Sequence, residues 1–489
     1  MLKSLLFNSS EYKLYKIYNT FTIRIFILIL YIFFCLIFFF PSNNQIITFF
    51  ETLTISSLSL WFGLISIIGS NGQRRLYDPA TFFNLGLFYY CFKGFSISLD
   101  IFPNYLQYIP YRNIIDNYHI VSLITLVSIF AWNGSYYLIT SKHKKIINNY
   151  LSPKKYKLIK LPGFYLLLFV AIFSTLMFLR LTNFDLGYFL AKPGARGYMS
   201  DEQIGIGSPY AFFYYYGMLF LSVVSVAWLA IIGSQGKKPG ILCWSFSIIT
   251  FIIIFATSPR AALIAYIVSN IIVYHLLIKP INPFFISSLG IIGLFYIYLV
   301  NTWRHIVGRM DNPDVSSGFI ILVGRTNIKD FLLNTLYGTD LSDIRVFVFL
   351  SDIYGKILPL KNGETILRII TQLIPRFLWP SKPEDLGIEI GQLIMTGTRS
   401  GTPPGFLAEM YMNFNFLGVI ICSALLGFLI GYIYKNWIIN TKNLKYILFY
   451  AVVVPRLFLI PSSTFANVIT SLIIFLLGIN LIFFKGRMK

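Results

Sequence analysis

Acidic residues are scarce in this sequence: 19 stand against 40 basic ones, and charged residues of either sign make up only 12% of the 489. Soluble domains carry about a quarter charged residues, so a soluble globular chain is excluded. There are only four cysteines, Cys35, Cys91, Cys243 and Cys422, all inside apolar runs and without disulfide or zinc spacing. They read as small hydrophobes. The four histidines, His119, His143, His275 and His305, show no ligand spacing, so no metal site is expected. A Walker loop, a dinucleotide glycine fingerprint and an Asp-x-Asp pair for a metal-bound nucleotide sugar are also missing. Nothing points to ATP or nucleotide chemistry, and no cofactor is expected.

Hydrophobic residues make up 56% of the chain. Apolar runs of about 20 residues recur along it, each long enough to cross hydrocarbon as a helix. In lipid the backbone must satisfy its own hydrogen bonds, so these runs are helical. The expectation is an all-α polytopic membrane protein with spans near 24–40, 46–69, 80–99, 118–139, 161–181, 209–232, 240–257, 260–278, 283–301, 406–434, 446–460 and 464–484. The first run, Ile25 to Phe40, lacks a small-residue cleavage site and reads as a retained span. The chain divides into a first group of nine helices (1–300), a long connection (301–405) and a last group of three (406–489).

Twelve spans place both termini on one side. The lysine-rich connections alternate, with Arg74 and Arg75, then 142–160, then Lys237 and Lys238, then Lys279, then Lys435, Lys442 and Lys445 on the side of the termini. The positive-inside rule makes that side cytoplasmic. It holds 22 basic residues and two acids, and the other side holds 18 basic and 17 acidic residues. The net charge of +21 is therefore a topology signal, and a nucleic-acid partner is not expected. Twelve of 16 arginines but only six of 24 lysines fall on the outer side. A guanidinium binds phosphate or carboxylate in a bidentate way that an ammonium cannot. The bias fits an outer site for a phosphate-bearing ligand. The alternative is arginines paired with the outer acids as scaffolding, and half or more of them are expected to do only that.

Within the long outer connection, "LIPRFLWPSKPEDLG" (373–387) is too charged to cross a membrane. Before it, Ile366, Ile369, Ile370, Leu373 and Ile374 have the spacing of an amphipathic helix over 365–374, ended by Pro375. Such a helix lies on the membrane surface with its apolar face down. Trp379, Arg376 and Lys382 then stand at the water–lipid boundary. "GTPPGFLAEMYMNFNFLG" (401–418) opens span ten, with Glu409 and Asn413 four residues apart on one face. A carboxylate there faces an interior cavity or balances a helix N-terminus or an arginine. Span eight opens with "TSPRAALIAY". Ser258 suits the N-cap and Pro259 the first helical position. Arg260 in the first turn opposes the helix dipole unless an anion is present, and helix N-terminus plus arginine makes a phosphate cradle. Arg456 ends span eleven, where the dipole favours a cation, and is read as structural.

The segments "PRFLWPSKP" (375–383), "GTPPGFLAEMYMNFNFLGVI" (401–420) and the Ser-Pro-Arg of span eight together resemble the Wzy-type oligosaccharide repeat-unit polymerases, the O-antigen polymerases among them. About 50 residues carry the resemblance. Pro259 stands where related proteins often have glycine. The resemblance implies a GT-C-like fold in the bacterial inner membrane, with its active site facing the periplasm. It implies transfer of a growing glycan from undecaprenyl diphosphate to the non-reducing end of a new lipid-linked unit. The implied partners are the lipid-linked oligosaccharide, membrane lipid and a chain-length-regulating co-polymerase. Glu409 and His305 are the candidate general bases. Arg260, Arg376, Arg304, Arg309, Arg196, Trp379, Lys382, Tyr411 and Asn413 are the candidate diphosphate or glycan contacts. An O-antigen ligase and a lipid-linked oligosaccharide flippase are the alternatives. The lack of an internal repeat speaks against the flippase.

Overall fold

The computed structural model describes residues 9–41, 45–67, 78–101, 106, 111–141, 161–180, 184, 211–257, 260–279, 281, 343–374, 378–379, 381–394, 401–439 and 443–484. Among them the chain is helical, with no strand beyond one isolated bridge, Tyr354 to Leu358. In order the helices are α1 (Ser9–Phe38), α2 (Ile46–Ile67), α3 (Pro79–Phe92), α4 (Phe95–Ser98), α5 (Tyr111–Thr140), α6 (Pro162–Arg180), α7 (Ala211–Ser234), α8 (Ile241–Thr257), α9 (Arg260–Leu277), α10 (Ile344–Ile353), α11 (Glu364–Gln372), α12 (Leu386–Ile394), α13 (Phe406–Tyr434), α14 (Leu444–Leu457) and α15 (Phe465–Ile482).

Seven of these are long and apolar enough to cross a membrane: α1, α2, α5, α6, α7, α13 and α15. The helices α8 and α9 are shorter apolar ones. Expected spans 80–99 and 446–460 appear as α3 with α4, and as α14, both cut to 14 residues by local breaks at Lys93 and after Leu457. The expected span 283–301 lies outside the described residues. Among the described residues the architecture is helical and fits a polytopic membrane protein, with seven helices long and apolar enough to span.

The helices meet through small residues, as association in lipid favours. Gly427 and Gly431, one turn apart in α13, lie against the backbone of α5. A β-carbon at Gly427 would overlap the Trp132 carbonyl oxygen, and one at Gly431 would come to 3.2 Å from the Tyr136 carbonyl oxygen. The α5 face is braced from behind. Phe83 of α3 stacks on Trp132 at 4.2 Å, and the Asn84 and Asn133 amides exchange hydrogen bonds of 2.9 and 3.0 Å.

The 343–394 segment is more than a surface connection. Helix α10 is about 15 Å long at 1.5 Å per residue, too short to span, yet Ile344 to Leu350 are all buried. Its N-cap Asp343 takes Arg345 Nε and Nη2 at 2.8 and 2.6 Å and has Lys93 at 3.7 Å. Burial opposes ionisation, but Arg345 and then Lys93 hold the Asp343 carboxyl below its usual range.

Helix α11 matches the expected amphipathic helix. It turns Thr365 and Arg368 to the protein and leaves Leu367 and Ile370 outward, each 63% exposed. A polar face inward and an apolar face outward is the arrangement of a helix lying against lipid.

Candidate active site

Helix α13 extends about 43 Å, well beyond the roughly 30 Å of hydrocarbon. It is broken at Asn415, whose φ of 60° and ψ of −168° lie in a region normally reserved for glycine. The Asn415 side chain accepts the Phe416 N–H at 2.7 Å. The Met412 carbonyl that Phe416 would have bonded instead accepts the Lys361 N–H at 2.8 Å. From Phe416 to Tyr434 the helix is still about 28 Å long, enough to cross alone. The first two turns, buried from Phe406 to Asn413, therefore stand in the layer formed by α10, α11 and α12.

Asn413 joins that layer to the span. Its Oδ1 accepts the Gly363 N–H at 2.9 Å and the Thr365 N–H at 3.4 Å, and its Nδ2 donates to Thr365 Oγ1 at 2.6 Å. It thus caps the N-terminus of α11, where Gly363 has no side chain to do so. Asn413 is a positioning residue for α11.

Glu409 lies one turn earlier on the same face and is fully buried. Its Oε2 accepts the Phe465 N–H at 2.7 Å, at the start of α15. The carboxylate thus sits at the positive end of a helix other than its own. Its Oε1 makes no hydrogen bond of good geometry, and the Thr365 hydroxyl is the side-chain donor beside the carboxyl group. Thr464 Oγ1 and Ser462 Oγ, in the bend before Phe465, and Arg368 Nε of α11 are also buried without partners. Buried polar atoms are nearly always satisfied. Orphaned atoms on both sides of one junction mark a place where a polar ligand would complete the bonding.

Around this junction runs a charge network. Arg368 Nη2 donates to Glu364 and to Glu389, both at 2.7 Å, and its Nη1 donates to the Glu384 carbonyl at 3.0 Å. Lys361 pairs with Glu389 at 2.7 Å. The hydrogen bond from Arg368 is the main reason the Glu364 carboxyl lies below its ordinary range. For Glu389, burial pushes the other way, but Lys361 and Arg368 outweigh it and its carboxyl is also lowered. Both acids are therefore ionised at neutral pH. A second chain of contacts, Asp385 to Asn467 at 3.0 Å, Asn467 to Gln372, and Gln372 to Thr470 at 3.0 Å, ties α11 to α15.

The other sequence-predicted residues fall elsewhere or have bonded neighbours. Tyr411 faces α10 and donates to the Tyr354 carbonyl at 3.0 Å, closing the end of that helix. Lys382 donates to the carbonyls of Ile374 and Gln372 at 2.9 and 3.3 Å, capping the C-terminus of α11. Trp379 Nε1 donates to Ser381 at 3.0 Å. Arg260 begins α9, and only its backbone is described. Arg376, Arg304, Arg309, Arg196 and His305 lie outside the described residues. Sequence reasoning singled out neither Arg368, Thr365 nor the Ser462–Thr464 bend. Signals existed: Arg368 follows Glu364 by four residues, and "PSSTF" (461–465) is a helix-start pattern.

Comparison with known proteins bears on this same part of the chain. No curated protein and no solved structure matches. Residues 391–488 match the family described as O-antigen polysaccharide polymerase Wzy. The match takes in the end of α12 and all of α13, α14 and α15, and with them Glu409, Asn413 and the bend before Phe465. Over that stretch the chain is similar to the Wzy-type O-antigen polymerases.

Proposed function

We propose that the protein polymerises oligosaccharide repeat units carried on undecaprenyl diphosphate, at the periplasmic face of a bacterial inner membrane, with a GT-C-like twelve-span topology and both termini cytoplasmic. The observation that carries the reading is Glu409: a fully buried carboxylate with one oxygen fixed by a helix N-terminus and only the Thr365 hydroxyl as a further side-chain donor beside it. In this reading the non-reducing-end hydroxyl of the acceptor unit gives its proton to Glu409 Oε1. Its oxygen attacks the anomeric carbon of the donor glycan. The bond from that carbon to the diphosphate breaks, and undecaprenyl diphosphate departs with the electron pair. Arg260 and Arg376 stabilise the charge on the departing group. The donor diphosphate supplies the energy, so no nucleotide is needed.

Purified protein given synthetic undecaprenyl-diphosphate repeat units, without nucleotide, should yield a ladder of lengthened products. A single transfer to lipid A core would indicate a ligase. No product, with counterflow of the lipid across vesicles, would indicate a transporter. In the same assay Arg260→Lys and Arg376→Lys should each lose most activity while the protein still inserts, because lysine keeps the charge and loses the bidentate fork. Full-length polymer from both variants refutes these two contacts. For sidedness, cysteines placed at Lys155 and Lys382 should label from opposite sides of intact cells. If an impermeant external reagent labels both, the topology is wrong.

A further inference from the structure

We propose that Thr365 is a positioning residue for Glu409: its hydroxyl, turned by Asn413, donates to the Glu409 carboxylate and holds it in the ionised form that can accept a proton. The proposal rests on the general-base reading of Glu409 above and adds a residue to it. The polarity of the contact is fixed by the donors and acceptors around Asn413. That side chain is fully buried. Its Oδ1 accepts the Gly363 and Thr365 N–H groups at 2.9 and 3.4 Å. A backbone N–H can only donate, so the amide oxygen and nitrogen of Asn413 cannot be exchanged. Nδ2 therefore donates, to the Glu409 carbonyl at 2.7 Å and to Thr365 Oγ1 at 2.6 Å. An amide nitrogen has two hydrogens and no acceptor site. Thr365 Oγ1 is then the acceptor in that contact, and its own proton points elsewhere. The Glu409 carboxyl is the group beside it. Thr365 is fully buried, so bulk water does not compete for that proton.

Such a relay distinguishes the two forms of Glu409. As a carboxylate it accepts from the Phe465 N–H and the Thr365 hydroxyl together. As an acid it has a proton of its own to place among groups already turned to donate. Hydrogen bonds to the charged form favour that form and oppose burial, which favours the neutral acid. Each carboxylate oxygen has two lone pairs, so Thr365 leaves room for an incoming hydroxyl. The charged groups that face Glu409 are Arg368 of α11 and Asp385 ahead of α12, opposite in sign. Both have partners of their own: Arg368 has Glu364 and Glu389, and Asp385 has Asn467 and the Gly387 N–H. On α10, Asp343 is held by Arg345 and Lys93, and Asp352 by Lys356. On α5, Asp116 pairs with Arg112, and His119 with Glu51 of α2. The bend before α15 and the first turn of that helix carry only neutral side chains, and Glu409 is the one charged residue of α13. The contact that sets the state of Glu409 is thus the neutral donor Thr365, and Asn413 sets the direction of that donor.

The test uses the full chain in phosphatidylcholine nanodiscs and has two readouts across pH. One is the rate of the ladder reaction. The other is the infrared band of the protonated Glu409 carboxyl, identified by its loss in Glu409→Gln. A base works only when ionised, so the rate rises with pH as Glu409 loses its proton. Removing a donor to the ionised form moves that rise to higher pH. Thr365→Val deletes the hydroxyl at nearly constant shape. It should move the acid limb of the rate profile and the infrared titration up by about one pH unit or more, the size of one hydrogen bond to a charged group. Above the shifted limb the rate should return to within a few-fold of wild type. Thr365→Ser, which keeps the hydroxyl, should restore the wild-type profile. Thr365→Ala should shift both readouts like Thr365→Val, and carries the test if the valine variant does not fold. A folded variant without the hydroxyl whose rate falls equally at every pH, with limb and infrared titration unmoved, has lost packing alone. That result overturns the role of Thr365 and leaves Glu409 standing as the base. Transfer that survives in Glu409→Gln overturns the base reading, and with it this proposal. Wild-type protein that forms no ladder overturns the polymerase reading, and the infrared titration then decides by itself whether Thr365 holds Glu409 ionised.

Discussion

Replacing Glu409 by glutamine is expected to lower single-turnover transfer by about a hundredfold or more, the usual loss when a general base is removed. Donor affinity should stay within a few-fold. The reason lies in the two carboxylate oxygens. Oε2 accepts the Phe465 N–H, and the carbonyl oxygen of glutamine can accept the same bond, so the start of α15 stays anchored. Oε1 is held by no backbone bond and has only the Thr365 hydroxyl near the carboxyl group, and the amide NH2 that replaces it cannot take a proton. A residue that only anchored α15 would behave differently: Glu409→Gln would be nearly neutral in transfer. Glu409→Ala would leave the Phe465 N–H unsatisfied and cost about 1–3 kcal/mol of stability. Transfer by Glu409→Gln within a few-fold of wild type rules out Glu409 as the base. His305, in "NTWRHIVGR" between Arg304 and Arg309, would then be the next residue to substitute.

Gly427→Ala should sharply destabilise the fold, and Gly427→Leu should prevent accumulation of folded protein. The added β-carbon would overlap the Trp132 carbonyl oxygen, which is backbone and cannot rotate away. Helices α5 and α13 would have to separate along their whole contact. That would disturb the stack of Phe83, Trp132 and Tyr136, with ring centroids 4.2 and 5.3 Å apart. Overpacking of this kind typically costs about 1–3 kcal/mol, and more where neither side can yield. Gly431→Ala should cost less, because its nearest contact is 3.2 Å. Gly134→Ala on α5 is the control: a β-carbon there meets nothing within 4 Å. Thermal unfolding and size exclusion in detergent measure all four. A Gly427→Ala protein as stable as Gly134→Ala would show that the close approach of the two helices is not required.

These two sites differ in how far they could be read in advance. Glu409 and Asn413 stand four apart in an apolar run, and the cost of burying them flags both. One reads as a candidate base and the other as a candidate glycan contact, and the structure adds what each touches: Asn413 caps α11 and Glu409 bonds the start of α15. Spacing along one helix records which residues point the same way, not which helix arrives to meet them. Gly427 and Gly431 are one turn apart, yet only the path of α5 makes the first indispensable and the second merely tight.

By itself the sequence determined that this is a polytopic helical protein, where most of its helices run, and that an amphipathic helix precedes the Trp379 turn. These follow from local chemistry: apolar runs long enough for hydrocarbon, and a period of 3.6 residues. It also carried enough of the 401–420 motif to suggest the family that the 391–488 match bears out. Tertiary structure alone decided the rest. Nothing in the apolar run around Asn415 announces a break, because the break is held by Lys361, more than fifty residues away, bonding the freed Met412 carbonyl. The buried Arg345 has Asp343 two residues before it, a pairing the sequence itself offers. That Lys93, in a distant part of the chain, joins the same carboxylate at 3.7 Å is fixed by which helices pack together, and that information is non-local.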